Sequence, residues 1–447
     1  MIDYTLPLDQ LPDPLPIEPL RKPFDVTITP PGSKSITCRA YVLAALADGE
    51  SKIIRPLRAD DTDKLLDALC TLGAEARWDG EDVYIKGVNG RFPRGGEVNL
   101  GDGGAPTRFM IAVACLASEP VVVDGSKRMR ERPIAEGVDM LRKLGAKIEY
   151  VEEEGRLPVR VVPSEDSIGG ELEIGTTTSS QFVSAVMLIA PFTERGVMLT
   201  YTQDPTSASY IALSRCVLGD WGVKHLARRR FWRYGRVIAD RIDSTPPKSQ
   251  EYTVEADASS AAYWLTAVAI NLHTHIEIHG LRDPWSSAQP DSEFCLIVQD
   301  AGAGVYMEPW PWGVDTANWD VLKCPNCDAA KSPDASLAVA VLAACSKRRS
   351  TITGLHTLRH KETDRIAALA NELRKIGCTI ETTDDSITID PSTRHSDPVV
   401  IETYNDHRIA MAFGVLGLAR PGISISNPAC VSKSYPTFWR DFAKLYQ

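Results

Sequence analysis

The segment SKSITCRAYVLAALA, residues 33–47, opens with a short polar motif and runs on as an Ala-rich apolar stretch of helical length. The pattern returns as GGAPTRFMIAVACLA from Gly103, SSQFVSAVMLIAP from Ser179, SSAAYWLTAVAI from Ser259, DASLAVAVLAAC from Asp334 and DHRIAMAFGVLGLA from Asp406. Copies spaced by about 75 residues fill the chain, which marks an internally repeated fold. A second pattern lies between them, an amphipathic helix that ends near a glycine and leads into two β-rich runs. It reads LLDALCTLGAEARW, VDMLRKLGAKIEYV, IALSRCVLGDWGVKHL, LIVQDAGAGVYME and LANELRKIGCTIET. Gly73, Gly145, Gly219 or Gly222, Gly302 and Gly377 stand at or near the helix C-cap. Each unit therefore reads strand, helix, strand, helix, hairpin.

The sixth copy has no hairpin, since FWRDFAKLY runs to the end of the sequence, while FDVTITP near the start is a strand without a unit. The two ends are expected to complete one unit together. An α/β chain of two similar domains follows, each of three repeated βαβαββ units. One spans residues 1–31 plus 255–447 and the other residues 32–254, with crossings near Pro31–Ser33 and Glu255–Asp257. A length of 447 residues independently favours two domains. A linear solenoid fits less well, because these units exceed the 20–45 residues usual for such repeats and their polar motifs differ in charge.

Composition narrows the class. With 43% hydrophobic and 24% charged residues, and no apolar run near the ~20 residues of a membrane span, a soluble globular protein is expected. The acidic, Pro-rich start lacks the features of a secretion signal, so a cytoplasmic location is expected. Cysteines such as Cys115 and Cys345 sit in apolar stretches and read as small buried hydrophobes. Cys324 and Cys327 form the one metal-like pair, but a structural zinc site needs two further ligands and no second pair of this spacing exists. The Trp-rich WPWGVDTANW before that pair reads as an insertion or a long hairpin. A net charge of −10 disfavours nucleic acid as a partner, so any anion site must be locally basic.

Such sites are offered by the helix starts, where unpaired N–H groups and the positive end of the dipole meet. Ser and Asp at these places are also ordinary N-caps. The cations are less ordinary: Lys34 and Arg39 in the first motif, Arg108 in the second, Arg408 in the sixth, and Arg132, Lys361, Arg365 and Lys433 between motifs. A cation at a helix N-terminus opposes the dipole, so several of them together suggest a ligand with more than one phosphate or carboxylate.

The strings PPGSKSITCR, RMRERPI, SSQF, VEADASSAAY, PDAS, KETDR, TYNDHRIAMAF and SKSYP resemble, in order and along nearly the whole chain, the motif series of the 5-enolpyruvylshikimate-3-phosphate synthase family. That resemblance implies two domains of three units with the active site in the cleft between them. It implies transfer of the enolpyruvyl group of phosphoenolpyruvate to the 5-hydroxyl of shikimate 3-phosphate, with release of phosphate, on the route to chorismate and the aromatic amino acids. It also implies a target of glyphosate. By the resemblance Lys34, Ser35, Arg39, Ser179, Ser180, Gln181, Ser207, Tyr210, Asp334, Thr357 and Lys361 hold shikimate 3-phosphate. Lys34, Asp102, Gly104, Arg132, Gln181, Arg365, Arg408 and Lys433 hold phosphoenolpyruvate. Asp334 and Glu362 resemble the family's proton-handling pair, with Lys34 and His407 assisting. No metal or organic cofactor is implied, and a monomer is expected.

Other readings stay in view. The related UDP-N-acetylglucosamine enolpyruvyl transferases carry a reactive Cys before their Arg-Pro motif, and DGSKRMRERP, residues 124–133, has none. PPGSKS lacks the glycine spacing of a P-loop. An enolpyruvyl transferase with another acceptor, or a phosphate-binding relative without turnover, is the alternative. Cys38, Asp102, Ala105 and Thr357 depart from the family strings, and Asp102 puts a carboxylate at a helix start expected to face phosphoenolpyruvate. Weaker binding of that substrate and of glyphosate is the expectation.

Overall fold

In the computed structural model the described residues are 2–164, 167–229, 237–306, 312–315, 322–391 and 397–447. The chain divides into two compact units, Gly32–Val254, and Met1–Pro31 with Glu255–Gln447. Three Ala-rich helices, α1 (Lys34–Leu46), α2 (Gly104–Ala114) and α3 (Ser180–Ile189), pack on one another in the first. In the second, α4 (Ala258–Ala269), α5 (Ser336–Cys345) and α6 (His407–Ala419) do the same. Apolar all round, these helices are buried all round: every residue of α4 and every residue of α1 from Ile36 onward is enclosed.

The second helix of each repeat is amphipathic instead. In Asp60–Leu72, Leu65, Leu69 and Leu72 are buried while Lys64 and Asp67 face water. Its C-cap is Gly73, at a φ of 129° that an L side chain rarely adopts. Helix Ala208–Asp220 runs through Gly219, and the left-handed glycine beyond it is Gly222. Among the described residues no helix is long and apolar enough to cross a membrane. Of WPWGVDTANW, residues 312–315 are described and form a strand, and the rest of that stretch lies outside the described residues.

Three of the five four-stranded sheets share one strand order, the strand before the buried helix, the strand after it, then the second and first strands of the hairpin, and the other two keep that order but take their first strand from elsewhere in the chain. Six strands carry the departures from a simple chain of repeats: β1 (Leu15–Pro16), β2 (Asp25–Ile28), β3 (Glu50–Ile54), β4 (Glu251–Thr253), β5 (His275–Ile278) and β6 (Ile423–Ile425). β2 leads into α1, yet it pairs in parallel with β5, Asp25 opposite His275. β4 leads into α4, yet it pairs in parallel with β3, Glu251 opposite Lys52. Each passage between units thus leaves its strand behind in the unit it departs from.

This corrects the expectation for FDVTITP, which joins the fourth repeat through β5 and leaves the sixth to another segment. The strand added to the sixth repeat is β1, whose Leu15 lies opposite Ile425 in an antiparallel pair with β6. The segment ahead of it is pinned by aromatic contacts. Tyr4 stacks near Trp439 and Tyr446 with centroids 6.4 and 5.5 Å apart, and Tyr446 Oη donates to the Glu18 carbonyl.

The first crossing leaves no space for a side chain at Gly32. A Cβ there would lie 2.3 Å from the Arg55 carbonyl oxygen and 3.0 Å from the Leu57 nitrogen, both backbone atoms. Gly32→Ala should therefore lower the melting temperature by several degrees, the scale of about 1–3 kcal/mol of overpacking. An unchanged melting curve would show that the crossing has slack.

Candidate active site

Arg365 opens helix Arg365–Lys375, where Asp364 is the N-cap and accepts from Ala367 N at 3.1 Å. A guanidinium at that end opposes the helix dipole, and at 1% exposure it has no water to help it. Carboxylates compensate from three directions. Arg365 Nε donates to Asp406 Oδ2 at 2.7 Å, Nη1 to Asp334 Oδ1 at 3.0 Å and Nη2 to Glu362 Oε2 at 2.9 Å.

Local backbone delivers these partners. Tyr404 and Asn405 are both left-handed, with φ of 53° and 56°, and this turn places Asp406 to accept from Arg408 N at 2.9 Å as the cap of α6. Arg408 Nη2 donates to Asp334 Oδ2 at 3.2 Å, and Lys361 Nζ lies 3.3 Å from Asp334 Oδ1. Lys433 Nζ lies 3.3 Å from Glu362 Oε1. Four cations thus share three carboxylates. Burial acts to raise the Asp334 pKa, but Arg408, Lys361 and Arg365 overcome it and hold this carboxyl well below the usual range. Asp291 shows the opposite balance, pushed up to about 7 chiefly by burial and then by the charge of Asp334. His407 is fully buried, its Nδ1 3.8 Å from Asp406 Oδ1. Thr357 is buried, and its hydroxyl has no hydrogen-bond partner among the described residues.

In the unit Gly32–Val254, Lys34 is the first residue of α1, and its Nζ lies 3.1 Å from Asp61 Oδ2. Arg39 is buried and committed within the unit: Nε donates to Ser214 Oγ at 2.9 Å, Nη1 to the Ser35 carbonyl at 2.8 Å and Nη2 to Ser184 Oγ at 3.1 Å. Burial pushes its pKa down to about 10. Ser179 does act as an N-cap, accepting from Gln181 N at 3.3 Å, with Ser180 buried beside it. Gln181 Oε1 accepts from Arg108 Nη1 at 2.5 Å. Ser207 caps its helix in the left-handed region, φ 47°, and the carbonyl of Tyr210 one turn on accepts from Arg39 Nη2 at 3.2 Å. At Gly104, a Cβ would lie 2.7 Å from both Nη atoms of Arg132, so glycine is what lets that guanidinium lie across the start of α2. Asp102 accepts from Ser126 Oγ, and the cap of α2 is Gly103, with no side-chain bond. Cys38 is buried and its thiol pushed up to about 12. Burial likewise raises Cys324 to about 12 and Cys327 to about 11.

The expected residues Asp334, Lys361, Glu362, Arg365, Arg408 and Lys433 therefore form one connected cluster. Lys34, Ser35, Arg39, Gln181 and Tyr210, with Gly104 beside Arg132, are gathered in the other unit. Three acids of these surroundings are not singled out by the sequence: Asp406, Asp61 and Asp291. Asp406 lies inside TYNDHR and is legible as a helix cap, whereas its bonds to a residue 41 positions earlier have no signal in the sequence. Asp61 sits in a run of acids at a helix start, where dipole compensation explains it already.

The family model described as EPSP synthase (3-phosphoshikimate 1-carboxyvinyltransferase) matches residues 20–442. The chain belongs to the EPSP synthase family. A 3-phosphoshikimate 1-carboxyvinyltransferase of Methanoculleus marisnigri is 37% identical over 422 residues, 93% of this chain and 96% of the relative. One of Haemophilus ducreyi is 35% identical over 430 residues, 94% of this chain and 95% of the relative. The solved EPSP synthase of Acinetobacter baumannii covers 96% of this chain and 98% of its own with a TM-score of 0.77. At 23% identity, that likeness speaks for the fold alone.

The ionised Asp334 has a consequence for stability. Its folded pKa lies below the unfolded value of about 3.9, so its contribution is complete above that value and is lost as pH falls through it toward the folded pKa. Asp334→Asn should be less stable than wild type at pH 7, with the two denaturation midpoints converging as the pH is taken down to 3. A constant gap across that range would mean that Asp334 is not held ionised by its cations.

Proposed function

We propose that this chain transfers the enolpyruvyl group of phosphoenolpyruvate to the 5-hydroxyl of shikimate 3-phosphate and releases inorganic phosphate, using Asp334 and Glu362 as its proton-handling pair. The observation that carries the assignment of roles is the division of labour around Arg365. One guanidinium holds both carboxylates, but Asp334 also faces Arg408 and Lys361, while Glu362 also faces Lys433. Two acids fixed on one planar fork with separate outer partners are suited to separate proton transfers.

The chemistry then runs as an addition and an elimination. The acceptor hydroxyl oxygen bonds to C2 of phosphoenolpyruvate and its proton passes to Asp334, while C3 takes a proton from Glu362 and becomes a methyl group. In the second half the Glu362 carboxylate takes a proton back from C3, the C2–O bond to phosphate breaks with its electron pair going to phosphate, and the C2=C3 double bond is restored. Arg365, Arg408 and Lys433 offer donors to phosphate and carboxylate, as do Lys34 and Arg132 from the other unit, and Arg forks fit both groups in bidentate fashion. Ser35, Ser179, Ser180, Ser207, Tyr210, Thr357 and Lys361 supply hydroxyls and charge for shikimate 3-phosphate, with Gln181 serving both substrates.

Release of phosphate from phosphoenolpyruvate in the presence of shikimate 3-phosphate, but not of shikimate, is the direct test. Asp334→Ala and Glu362→Gln should each lower kcat by at least about a hundredfold, since each removes a positioned proton-transfer group. Full turnover in either variant would take that residue out of the mechanism. Gly104→Ala should displace the Arg132 guanidinium, raising KM for phosphoenolpyruvate and leaving KM for shikimate 3-phosphate near its starting value. Equal changes in both constants would argue instead for a general distortion of α2.

A further inference from the structure

Arg108 belongs to the second helix-start motif, and the chemistry above gives it no part. It is the fifth residue of α2, 4% exposed, and lies where α2 packs on α3. Its guanidinium is held on three sides. Nη2 donates to the Pro133 carbonyl at 3.3 Å, Cζ lies 4.8 Å from the centre of the Phe182 ring, and Nη1 donates to Gln181 Oε1 at 2.5 Å. Phe182 is seated in turn by a glycine, since a Cβ at Gly137 would lie 2.5 Å from its Cδ1.

Every polar hydrogen of a guanidinium is a donor, and the group has no acceptor. Of the two ends of the Gln181 amide, only the oxygen can therefore face it. The amide turned end for end would set Nε2 hydrogens against guanidinium hydrogens and lose a bond to a charged group, which favours the observed orientation by about tenfold or more. Gln181 is half-buried at the second position of α3, where its backbone N–H already donates to Ser179 Oγ at 3.3 Å. With the backbone donor used and the side-chain oxygen turned to Arg108, what the residue has to offer a ligand is Nε2 and its two hydrogens.

We propose that Arg108 is a positioning residue that fixes which way round the Gln181 amide is held, so that this glutamine meets the substrates as a donor and selects acceptor oxygens such as those of carboxylate and phosphate. Two hydrogens on one nitrogen can reach two oxygens, which gives a physical reason for one residue to serve both substrates. The opposite orientation would turn the negative end of the amide dipole toward anions. The proposal rests on Gln181 as a contact of phosphoenolpyruvate and shikimate 3-phosphate.

The test is a double-mutant cycle of wild type, Arg108→Met, Gln181→Ala and the double variant, with KM measured for both substrates. Arg108→Met should raise each KM by about fivefold, the scale of leaving one side chain to be ordered by its ligand. In the Gln181→Ala background the same change should act by less than about twofold. Loss of the bond to Pro133, loss of a positive charge near an anion, or a general loosening of α2 would act equally in both backgrounds, so equal factors would overturn the proposal. A second readout needs neither turnover nor ligand. In protein isotope-labelled on its glutamine nitrogens, the side-chain amide signal that disappears in Gln181→Ala reports this residue. Its order parameter should fall from the rigid range near about 0.85 in wild type to below about 0.6 in Arg108→Met, and an unchanged value would refute the positioning role. Absence of turnover, with an amide ordered only when Arg108 is present, would sink the proposed function and leave the role of Arg108 standing. If Arg108→Met does not fold, Arg108→Gln takes its place with the same expectations, because its amide accepts as well as donates and so admits both orientations of Gln181.

Discussion

Arg365 is a full positive charge enclosed in protein at the wrong end of a helix, and much of the unit built from residues 255–447 is arranged to make that tolerable. Its bonds reach Asp334 ahead of α5, Glu362 in the preceding loop and Asp406 at the start of α6. Loss of one partner from such a network leaves a buried charge uncompensated, at a cost of about 3–5 kcal/mol. The helix starts are therefore fixed relative to one another by charge, while the apolar flanks of α4, α5 and α6 fix how closely their bodies pack. Neither would suffice alone, since apolar packing does not specify where a guanidinium points.

The repeated fold is legible because its two kinds of helix differ in period. SKSITCRAYVLAALA is apolar on every side and ends up enclosed, whereas DDTDKLLDALCTL carries one apolar stripe and lies at the edge of its unit. Strand partnership is not legible in the same way. A run such as FDVTITP announces a strand, but nothing in its residues says whether it pairs with the strand that follows its own helix or with one some 250 positions later. The two-residue strand Leu15–Pro16 is too short to show any alternation at all. Gly219 and Gly222 are indistinguishable by the same logic, since each could end the helix and only packing lets the chain run on to the second.

In the site the cations are legible and their partners are not. A Lys or Arg at a helix start runs against the dipole, so Lys34, Arg365 and Arg408 stand out from their place in the chain alone. An Asp in the same place complements the dipole and caps the backbone, which explains Asp61 and Asp406 without any further duty. Each nevertheless has one, on Lys34 and on Arg365. Arg39 is the converse case. Its position in the first motif suggests a ligand contact, and the fold commits three of its nitrogens to Ser35, Ser184, Ser214 and Tyr210, so it supports the groups around it from within.

Four cations and three carboxylates make the ligand-free cluster nearly self-neutralising, and this shapes its chemistry. Ammonium and guanidinium groups without counter-ions would repel one another and lose any common orientation; the carboxylates hold them ready at hydrogen-bonding distance. The same pairing makes Asp334 a poor base in the empty protein, because Arg408, Lys361 and Arg365 stabilise its charge. An anionic ligand that takes up the donors of Arg408 and Arg365 necessarily weakens their hold on Asp334 and raises its proton affinity. Basicity at Asp334 is thus coupled to occupancy of the cations around it, and in the proposed role this carboxylate becomes able to accept a proton when the ligand's negative charge is in place. A carboxylate already basic in the empty protein would instead be half protonated before the ligand arrived, and the cations it now orders would have no fixed counter-charge to hold them.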